Sequence, residues 1–515
     1  MSIVAQGSSP PVSASAPAVA APKRSSGWKT DTLAVGMVMM LLMTIVGRGI
    51  GFFRGMAFCR LMDDADVGRW SMAFGFFTLI TPVLLLGIPG ALPRFTEHYR
   101  RRGSLTAFVR RTIWATVLCT LTSVVAMLVW KDWFSWIIFL QPAHVGLINA
   151  LIASVVGMIA YNFVCDLCTS LRRVRVVSVM QFIQGVGFTV LSITWLMWAG
   201  PFEGVVWMFA ASCGLAILPG IFTLITGWQA AAMVDQDATS PSDPVASCTF
   251  GAMVRRLAPY AAALWMMNLI GNCFELSDRY MILHFMPDEG LGKTLSGQSA
   301  VGQYHSGRII PMLLLSLGTM IGGVMMPYLA ADWESKRVES IQTRLRDALL
   351  AVSVVFTCGS AVAIWLGPWI FGSLLQGRYS DGLSLMPMAL CFCTWSALVT
   401  IGQNYLWTVE RGKWVPIAMG VGLICNIVLN VALLPTFGLS GAVLATMLSH
   451  GVVMAGVWIA MVACGYQLDR WLIALSILPG ALLVAPWFAL VAALATSVIW
   501  LLDAESRSRL RYAWR

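Results

Sequence analysis

The chain contains 515 residues, of which 58% are hydrophobic and only 11% are charged. A soluble chain of this length would carry about 25% charged residues, so the composition excludes a soluble globular enzyme, and the hydrophobicity excludes general disorder. About 20 apolar residues suffice for one helical crossing of the bilayer, so the chain is predicted to be a polytopic membrane protein. The net charge of +10 predicts no nucleic-acid partner, because the positive residues lie in short segments beside apolar runs.

The first half of the chain predicts a tail, six membrane spans and a linker. Residues 1–32 are rich in Ser, Ala and Pro and are predicted to form a disordered cytoplasmic tail. The spans build an N-lobe over residues 33–228, and the polar residues 229–255 are predicted to be a cytoplasmic linker. The predicted spans of this lobe are 33–53, 69–93, 112–130, 145–166, 176–199 and 205–228.

The second half predicts six further spans, in a C-lobe over residues 256–465, and a terminal hairpin. The predicted spans of this lobe are 258–286, 307–328, 348–371, 383–408, 414–434 and 439–464. The last apolar run is too long for one helix and short for two, and Pro479 and Pro486 interrupt it. We therefore predict a helical hairpin over residues 466–503, followed by a basic cytoplasmic tail over 504–515.

Positive residues collect in alternate loops, which is the charge pattern of cytoplasmic loops. The loop after the second predicted span contains Arg100, Arg101 and Arg102, and the C-terminal tail contains Arg507 and Arg509. This bias places both termini in the cytoplasm and requires an even number of spans. The expected fold is therefore an all-α membrane protein with 14 spans.

The two lobes resemble each other in sequence at a nearly constant shift. The matching segments are Val67-Gly68 and Val301-Gly302 at a shift of 234 residues, Arg173-Val174-Arg175 and Arg411-Gly412-Lys413 at 238, and Gly204-Val205-Val206 and Gly441-Ala442-Val443 at 237. Because each lobe has an even number of spans, the lobes share one orientation and are predicted to be related by a pseudo-twofold axis along the membrane normal. Two six-helix lobes around a central pathway are the layout of an alternating-access transporter.

An ordered set of segments between residues 33 and 465 resembles a known transporter family. The segments are Gly51-Phe52-Phe53-Arg54, Leu86-Gly87-Ile88-Pro89-Gly90, Asp278-Arg279-Tyr280, Val301-Gly302-Gln303-Tyr304, and Leu434-Pro435-Thr436-Phe437-Gly438. They resemble the polysaccharide transporter family of Wzx-like lipid-linked oligosaccharide flippases, in the superfamily that also holds multidrug and toxin extrusion transporters and lipid II flippases. The resemblance implies a flippase in a bacterial cytoplasmic membrane that moves an undecaprenyl-pyrophosphate-linked glycan from the inner to the outer leaflet. Its partners would be that lipid-linked glycan, the membrane lipids and polysaccharide polymerase machinery.

Three arginines within or beside predicted spans are candidates for binding the headgroup. Arg48 lies inside the first span, Arg54 near its outer end, and Arg308 at the start of the eighth. A charge in the bilayer core costs about 2.5 to 3.5 kcal/mol on insertion scales, and a guanidinium offers planar bidentate donors to a pyrophosphate. The alternative for Arg54 is a side chain that extends to the membrane interface.

Acidic residues in the seventh predicted span are candidates for ion coupling. Glu275 and Arg279 are four residues apart, so an internal ion pair is expected, which leaves Asp278 to bind a proton or sodium. Asn426, Asn430 or Thr446 would supply oxygen ligands if the eleventh and twelfth spans face the seventh. The alternative is a purely structural ion pair. No resident metal, cofactor or catalytic residue is predicted.

Two other functions are consistent with parts of the sequence. A multidrug or cation antiporter of the same superfamily would require an acidic first lobe, whereas these spans contain Arg48 and no buried acid except Asp166 at a helix end. A polyprenyl-phosphate-dependent glycosyltransferase would place catalytic acids in the first outer loop, where Asp63, Asp64 and Asp66 lie. That loop is short and no large outer domain follows, so an acidic turn is the simpler interpretation.

Overall fold

The computed structural model describes residues 33–502, with gaps at 86–91, 93–95, 97–98, 100–103, 142–144, 172, 199, 234–249, 287–296, 378 and 468–469. The described chain is predominantly helical and contains no strand, as the composition predicts. The helices are α1 (Leu33–Leu61), α2 (Asp64–Leu85), α3 (Leu105–Val129), α4 (Lys131–Phe139), α5 (Val145–Ser170), α6 (Val174–Met197), α7 (Phe202–Met233), α8 (Phe250–Phe285), α9 (Gly297–Glu334), α10 (Val338–Trp369), α11 (Ser380–Thr408), α12 (Trp414–Phe437), α13 (Leu439–Ala463), α14 (Arg470–Ile477) and α15 (Pro486–Leu502).

The length and composition of these helices identify a multi-pass membrane protein. Ten of the described helices are long and apolar enough to cross a bilayer, namely α2, α3, α5 to α7 and α9 to α13. Two further long helices, α1 and α8, complete a series of twelve that follows the order of the predicted spans. α8 is not among those ten helices, and its second half contains the charged residues Glu275, Asp278 and Arg279. The total of 14 spans stays a prediction, since it depends on the terminal segment.

The terminal segment breaks where its prolines predict. α14 is followed by a 3₁₀ helix at Leu478–Leu483, and α15 begins at Pro486. Trp471 and Trp500, near the two ends of the segment, pack against the same apolar cluster around Leu350 of α10. A hairpin brings its two ends together in this way, although both arms are shorter than the roughly 20 residues of a full crossing.

Several helices extend beyond the predicted spans. α7 ends at Met233 and α8 begins at Phe250, so both enter the predicted linker, whose residues 234–249 lie outside the described chain. α9 begins at Gly297, so Arg308 lies three turns inside the helix rather than at its start. Hydropathy marks only the apolar part of a helix, whereas the backbone hydrogen bonds continue through polar residues that pack on a neighbour. The short helix α4 between the third and fourth spans was not predicted.

The junction of α1 and α2 corrects the predicted acidic loop. Only Met62 and Asp63 separate the two helices, and Asp64 and Asp66 lie in the first turn of α2. A carboxylate oxygen of Asp63 accepts a hydrogen bond of 2.8 Å from the backbone N–H of Asp66, which is the geometry of a helix N-cap. Acidic residues in a first turn also suit the positive end of the helix dipole. We call the end of the molecule where α1 meets α2 the outer end, because the loop charges predict that it faces outward.

At the outer end, α2 and α9 cross so closely that each requires a glycine. A Cβ atom on Gly68 would lie 1.9 Å from the carbonyl oxygen of Gln298, and a Cβ on Gly302 would lie 1.9 Å from that of Asp64. Gly302 follows Gly68 by 234 residues, and Gln298 follows Asp64 by the same shift. The contact is therefore reciprocal, as a pseudo-twofold axis between these two helices predicts.

A candidate ion and headgroup site

Asp278 occupies the centre of a polar cluster formed by four helices. The residue is 1% exposed. Its carboxylate accepts hydrogen bonds from the hydroxyl of Tyr304 at 2.6 Å, the hydroxyl of Thr446 at 2.5 Å, and the side-chain amides of Asn426 at 2.9 Å and Asn430 at 3.0 Å. Four donors suit an ionised carboxylate, which accepts hydrogen bonds and donates none. The helical spacing predicts no partner for Asp278 once Glu275 pairs with Arg279. In the structure Asp278 instead accepts four hydrogen bonds.

The local sequence explains how these residues meet. Asn426 and Asn430 lie one turn apart on one face of α12. Gly438, with a φ of 58°, joins α12 directly to α13, so the two helices pack side by side and present Asn430 and Thr446 to α8. Asp278, Tyr304, Asn430 and Thr446 each lie seven residues from the outer end of their helices, which is about 10 Å in depth. The cluster therefore occupies one level of the C-lobe, in its outer half.

The cluster is rich in oxygen atoms that could ligate a cation. The amide oxygen of Asn430 is buried and has no hydrogen-bond partner in the described chain. The amide oxygen of Asn426 accepts a hydrogen bond of 2.8 Å from the hydroxyl of Ser277. Rotation of an amide by 180° exchanges its nitrogen for its oxygen, so the same residues can turn from donors to Asp278 into ligands beside it. Carboxylate, amide and hydroxyl oxygens are the ligands that hard cations prefer.

A second charged group adjoins Asp278. One carboxylate oxygen of Glu275 lies 3.3 Å from a guanidinium nitrogen of Arg279 and 3.3 Å from one of Arg308. Arg308 also donates to the hydroxyl of Tyr304 at 3.2 Å, and Tyr304 in turn donates to Asp278. The expected Glu275–Arg279 pair is present, but Arg308 shares the carboxylate. The negative charges of Glu275 and Asp278 thus compensate the positive charges of Arg279 and Arg308 inside the C-lobe.

A cavity of about 210 Å³ opens beside these groups. Its lining includes Glu275, Asp278, Arg308 and Thr446. Phe392 also lines it, with its ring centroid 5.5 Å from the Arg308 guanidinium carbon. The side chain of Glu275 is 34% exposed, whereas that of Arg308 is 9% exposed. A ligand entering the cavity would therefore meet the carboxylate that compensates Arg308.

The three candidate headgroup arginines have different environments. The Arg54 guanidinium lies 4.6 Å from the ring centroid of Phe188, and no carboxylate of the described chain pairs with it. Gly55 and Ile309 touch across the α1–α9 contact, where a Cβ on Gly55 would lie 3.5 Å from Ile309. Because these two residues follow Arg54 and Arg308, the contact brings both arginines to one region. Arg48 lies about two turns away on α1, exposed.

Sequence reasoning named most of the cluster and missed two of its members. Asp278, Glu275, Asn426 and Asn430 meet as expected. Tyr304, which joins Asp278 to Arg308, belongs to a segment that carries the family resemblance, but the sequence alone indicates no role of its own for it. His305 was also missed, and its Nδ1 lies 3.3 Å from the hydroxyl of Ser71 on α2. A polar residue at each helical turn of α9 was the available signal for both. The functional roles of all these residues stay predictions.

Comparison with known proteins supports the family. The sequence model of the family described as "Polysaccharide biosynthesis protein" matches residues 33–332. No curated protein matches the chain. Among solved structures, the inward closed conformation of the lipid II flippase MurJ is similar, with a TM-score of 0.68, 12% identity and coverage of 90% of this chain and 99% of that chain.

Two other solved structures show the same fold. An inward-facing multidrug resistance MATE family transporter of the MOP superfamily has a TM-score of 0.63, 13% identity and coverage of 83% and 98% of the two chains. A MOP superfamily transporter from Pyrococcus furiosus, whose binding pocket is described as having reverse polarity, has a TM-score of 0.58, 12% identity and coverage of 85% and 96%. The family match covers more than half of the chain, which therefore belongs to the polysaccharide biosynthesis protein family.

Proposed function

We propose that the protein is a secondary-active flippase that moves a polyprenyl-pyrophosphate-linked oligosaccharide from the inner to the outer leaflet by alternating access. Membership of the polysaccharide biosynthesis protein family supports a role in the synthesis of a polysaccharide. A fold similar to that of a lipid II flippase supports the transport of a lipid-linked glycan. The membrane would be the cytoplasmic membrane of a bacterium, with both termini inside. The exported glycan would then pass to surface polymerase machinery.

One observation carries this proposal at the level of chemistry. Arg54 has no carboxylate partner among the described residues, and it lies near Arg308 at the contact between α1 and α9. A pyrophosphate needs planar donors in a region of low dielectric constant. The Arg54 guanidinium lies 4.6 Å from the ring centroid of Phe188, a cation–π contact that uses the ring face and requires none of the N–H donors. Arg308 can also donate to the pyrophosphate if the Glu275 carboxylate pairs with Arg279 alone. Arg48 would act earlier or later on the path of the headgroup.

Coupling to an ion gradient is assigned to the Asp278 cluster. The described chain contains no nucleotide-binding motif, so an ion gradient is the energy source that suits its fold. Asp278 would bind a proton or a sodium ion, with Asn426 and Asn430 as oxygen ligands and Glu275 close by. The ionisable groups that surround Asp278 are Tyr304 on α9, His450 on α13, and Glu275 and Arg279 on α8, with Arg308 on α9.

A cation antiporter is the second candidate, because MATE transporters share the fold. A cationic drug would require an unpaired acid on the pathway. In the described chain the two cavity carboxylates are both engaged, Glu275 by two arginines and Asp278 by four donors. Arg54, for which the described residues offer no carboxylate partner, disfavours a cationic ligand further.

A flipping assay with the purified protein in liposomes tests both the proposed headgroup binding and the proposed ion coupling. A fluorescent polyprenyl-pyrophosphate glycan is followed with a pH gradient, a sodium gradient, or neither. We expect gradient-dependent flipping that Arg54→Ala reduces at least tenfold and Arg48→Ala reduces less, since Arg54 lies in the central region. Flipping of a cationic dye in place of the glycan would support the antiporter, and wild-type flipping by Arg54→Ala would remove Arg54 from the site.

A further inference from the structure

Arg279 connects the charged cluster of the C-lobe to the backbone of the other lobe. One guanidinium nitrogen contacts Glu275 at 3.3 Å, and the other donates a hydrogen bond of 2.9 Å to the carbonyl oxygen of Ser71 on α2. Arg279 is buried. A single planar side chain thus spans from α8 to α2, and its charge is compensated on one side only.

Gly75 makes this contact possible. In an α-helix the carbonyl of Ser71 faces the residue four positions later, so a side chain at position 75 stands beside the same oxygen atom. A Cβ atom on Gly75 would lie 2.8 Å from the Arg279 nitrogen that donates to Ser71. Any residue other than glycine would therefore displace the guanidinium from the carbonyl.

The contact lies beside the pseudo-twofold axis. A second residue of the C-lobe also contacts Ser71, because the Nδ1 atom of His305 on α9 lies 3.3 Å from the Ser71 hydroxyl. His305 follows Ser71 by 234 residues, which is the shift that relates Gly68 to Gly302 one turn further out. The Arg279 contact and the close glycine crossing are therefore parts of one interface, which closes the outer end.

We propose that Arg279 is a positioning residue that holds the outer ends of the lobes together, with a strength set by the charge of Glu275. A buried guanidinium requires compensation, and Glu275 supplies it while Arg279 binds α2. A positive charge added to the cluster repels Arg279 and competes for Glu275, so the contact with Ser71 weakens and the lobes separate. This extends the proposed coupling function by naming the element that transmits the charge to the gate.

The test uses hydrogen–deuterium exchange on the full-length protein in lipid nanodiscs. The variants are Gly75→Ala, which displaces the guanidinium, and Arg279→Lys, which keeps the charge and loses the two-sided fork. We expect exchange at the outer ends of α2 and α9 to rise on the order of tenfold in both variants. Gly359→Ala is the matched control, because nothing lies within 4 Å of its added Cβ.

Two further readouts separate a gate from general loosening. Closure at the inner end should accompany opening at the outer end, so exchange at the inner end of α9, near residues 325–334, should fall in the same variants. Ser71→Ala keeps the carbonyl that Arg279 binds and loses only the hydroxyl contact with His305, so it should raise exchange less than Gly75→Ala does. Glu275→Gln should raise exchange as Gly75→Ala does. Equal exchange in Gly75→Ala and wild type, or a uniform rise along all helices, would overturn the proposal. These readouts need no glycan, so failure of the flipping assay leaves them interpretable.

Discussion

The polar cluster of the C-lobe and the equivalent positions of the N-lobe have opposite chemistry. At the repeat shifts of 234, 238 and 237, Tyr304, Asn426 and Thr446 correspond to Trp70, Phe188 and Phe209. In the C-lobe these positions donate hydrogen bonds to Asp278. In the N-lobe they are aromatic rings in mutual contact, with centroids 5.1 Å apart for Trp70–Phe188, 5.2 Å for Phe188–Phe209 and 5.9 Å for Trp70–Phe209.

The difference shows how one scaffold position serves two purposes. A polar cluster inside a bilayer needs partners for its donors and acceptors, and here the partners of the Asp278 carboxylate come from three other helices. An aromatic cluster requires only shape, since ring pairs in edge-to-face contact pack well without polar partners. In the N-lobe the rings then provide a face for Arg54. The lobe that carries the carboxylates offers the oxygen atoms that the proposed coupling ion would need. The lobe that carries the rings contacts Arg54, which has no carboxylate partner among the described residues.

The largest expected effect comes from removing the charge at the centre of the polar cluster. Asp278→Asn replaces two acceptor oxygens by one and turns an amide towards the amides of Asn426 and Asn430. We expect loss of the response to a pH or sodium gradient in the flipping assay, together with a lower thermal midpoint. Hydrogen bonds to a charged group contribute about 1.5–3 kcal/mol each, so part of the stability is lost as well.

The N-lobe provides the matched control. Ser192 occupies the position equivalent to Asn430 at a shift of 238, and its hydroxyl bonds only to backbone carbonyls of its own helix. Ser192→Ala should therefore change neither the gradient response nor the midpoint. An unchanged gradient response in Asp278→Asn would show that Asp278 is structural and that coupling lies elsewhere.

A smaller effect is expected from giving the N-lobe the residue of the C-lobe. Phe188→Asn buries an amide among rings with no carboxylate to accept from it, and it leaves a cavity. We expect a loss of about 3 kcal/mol or more in the free energy of unfolding, measured as a fall in the thermal midpoint, and weaker headgroup binding because Arg54 loses its ring. Phe188→Leu keeps the apolar contact and should lose less than half as much stability. Wild-type stability in Phe188→Asn would mean that the aromatic packing contributes little.

Much of the fold follows from the sequence because membrane spans are set by one dominant requirement, the burial of backbone polar groups in helices. The order of the long helices and the pairing of Glu275 with Arg279 follow from hydropathy and from helical spacing. The ends of α7, α8 and α9 do not, since their polar turns are held by neighbouring helices. The sequence names Asn430 and Thr446 as ligands beside Asp278 only on the condition that α12 and α13 face α8, and it indicates no role for Tyr304. The packing of α9, α12 and α13 around α8 supplies both facts.

The smallest expected effect tests the acidic residues at the start of α2. Asp63→Ala removes the cap on the Asp66 N–H and should cost about 1 kcal/mol of stability, because the helix loses one satisfied donor. Flipping should stay at the wild-type rate, since Asp63 lies outside the central cavity and the neighbouring carboxylate of Asp66 already pairs with Arg69 at 2.8 Å. The measurement is the thermal midpoint beside the flipping rate, with Asp63→Asn as the control, because asparagine caps a helix as well as aspartate does. If these acids were catalytic, both substitutions would abolish glycan processing without changing stability, and the glycosyltransferase alternative would replace the transporter.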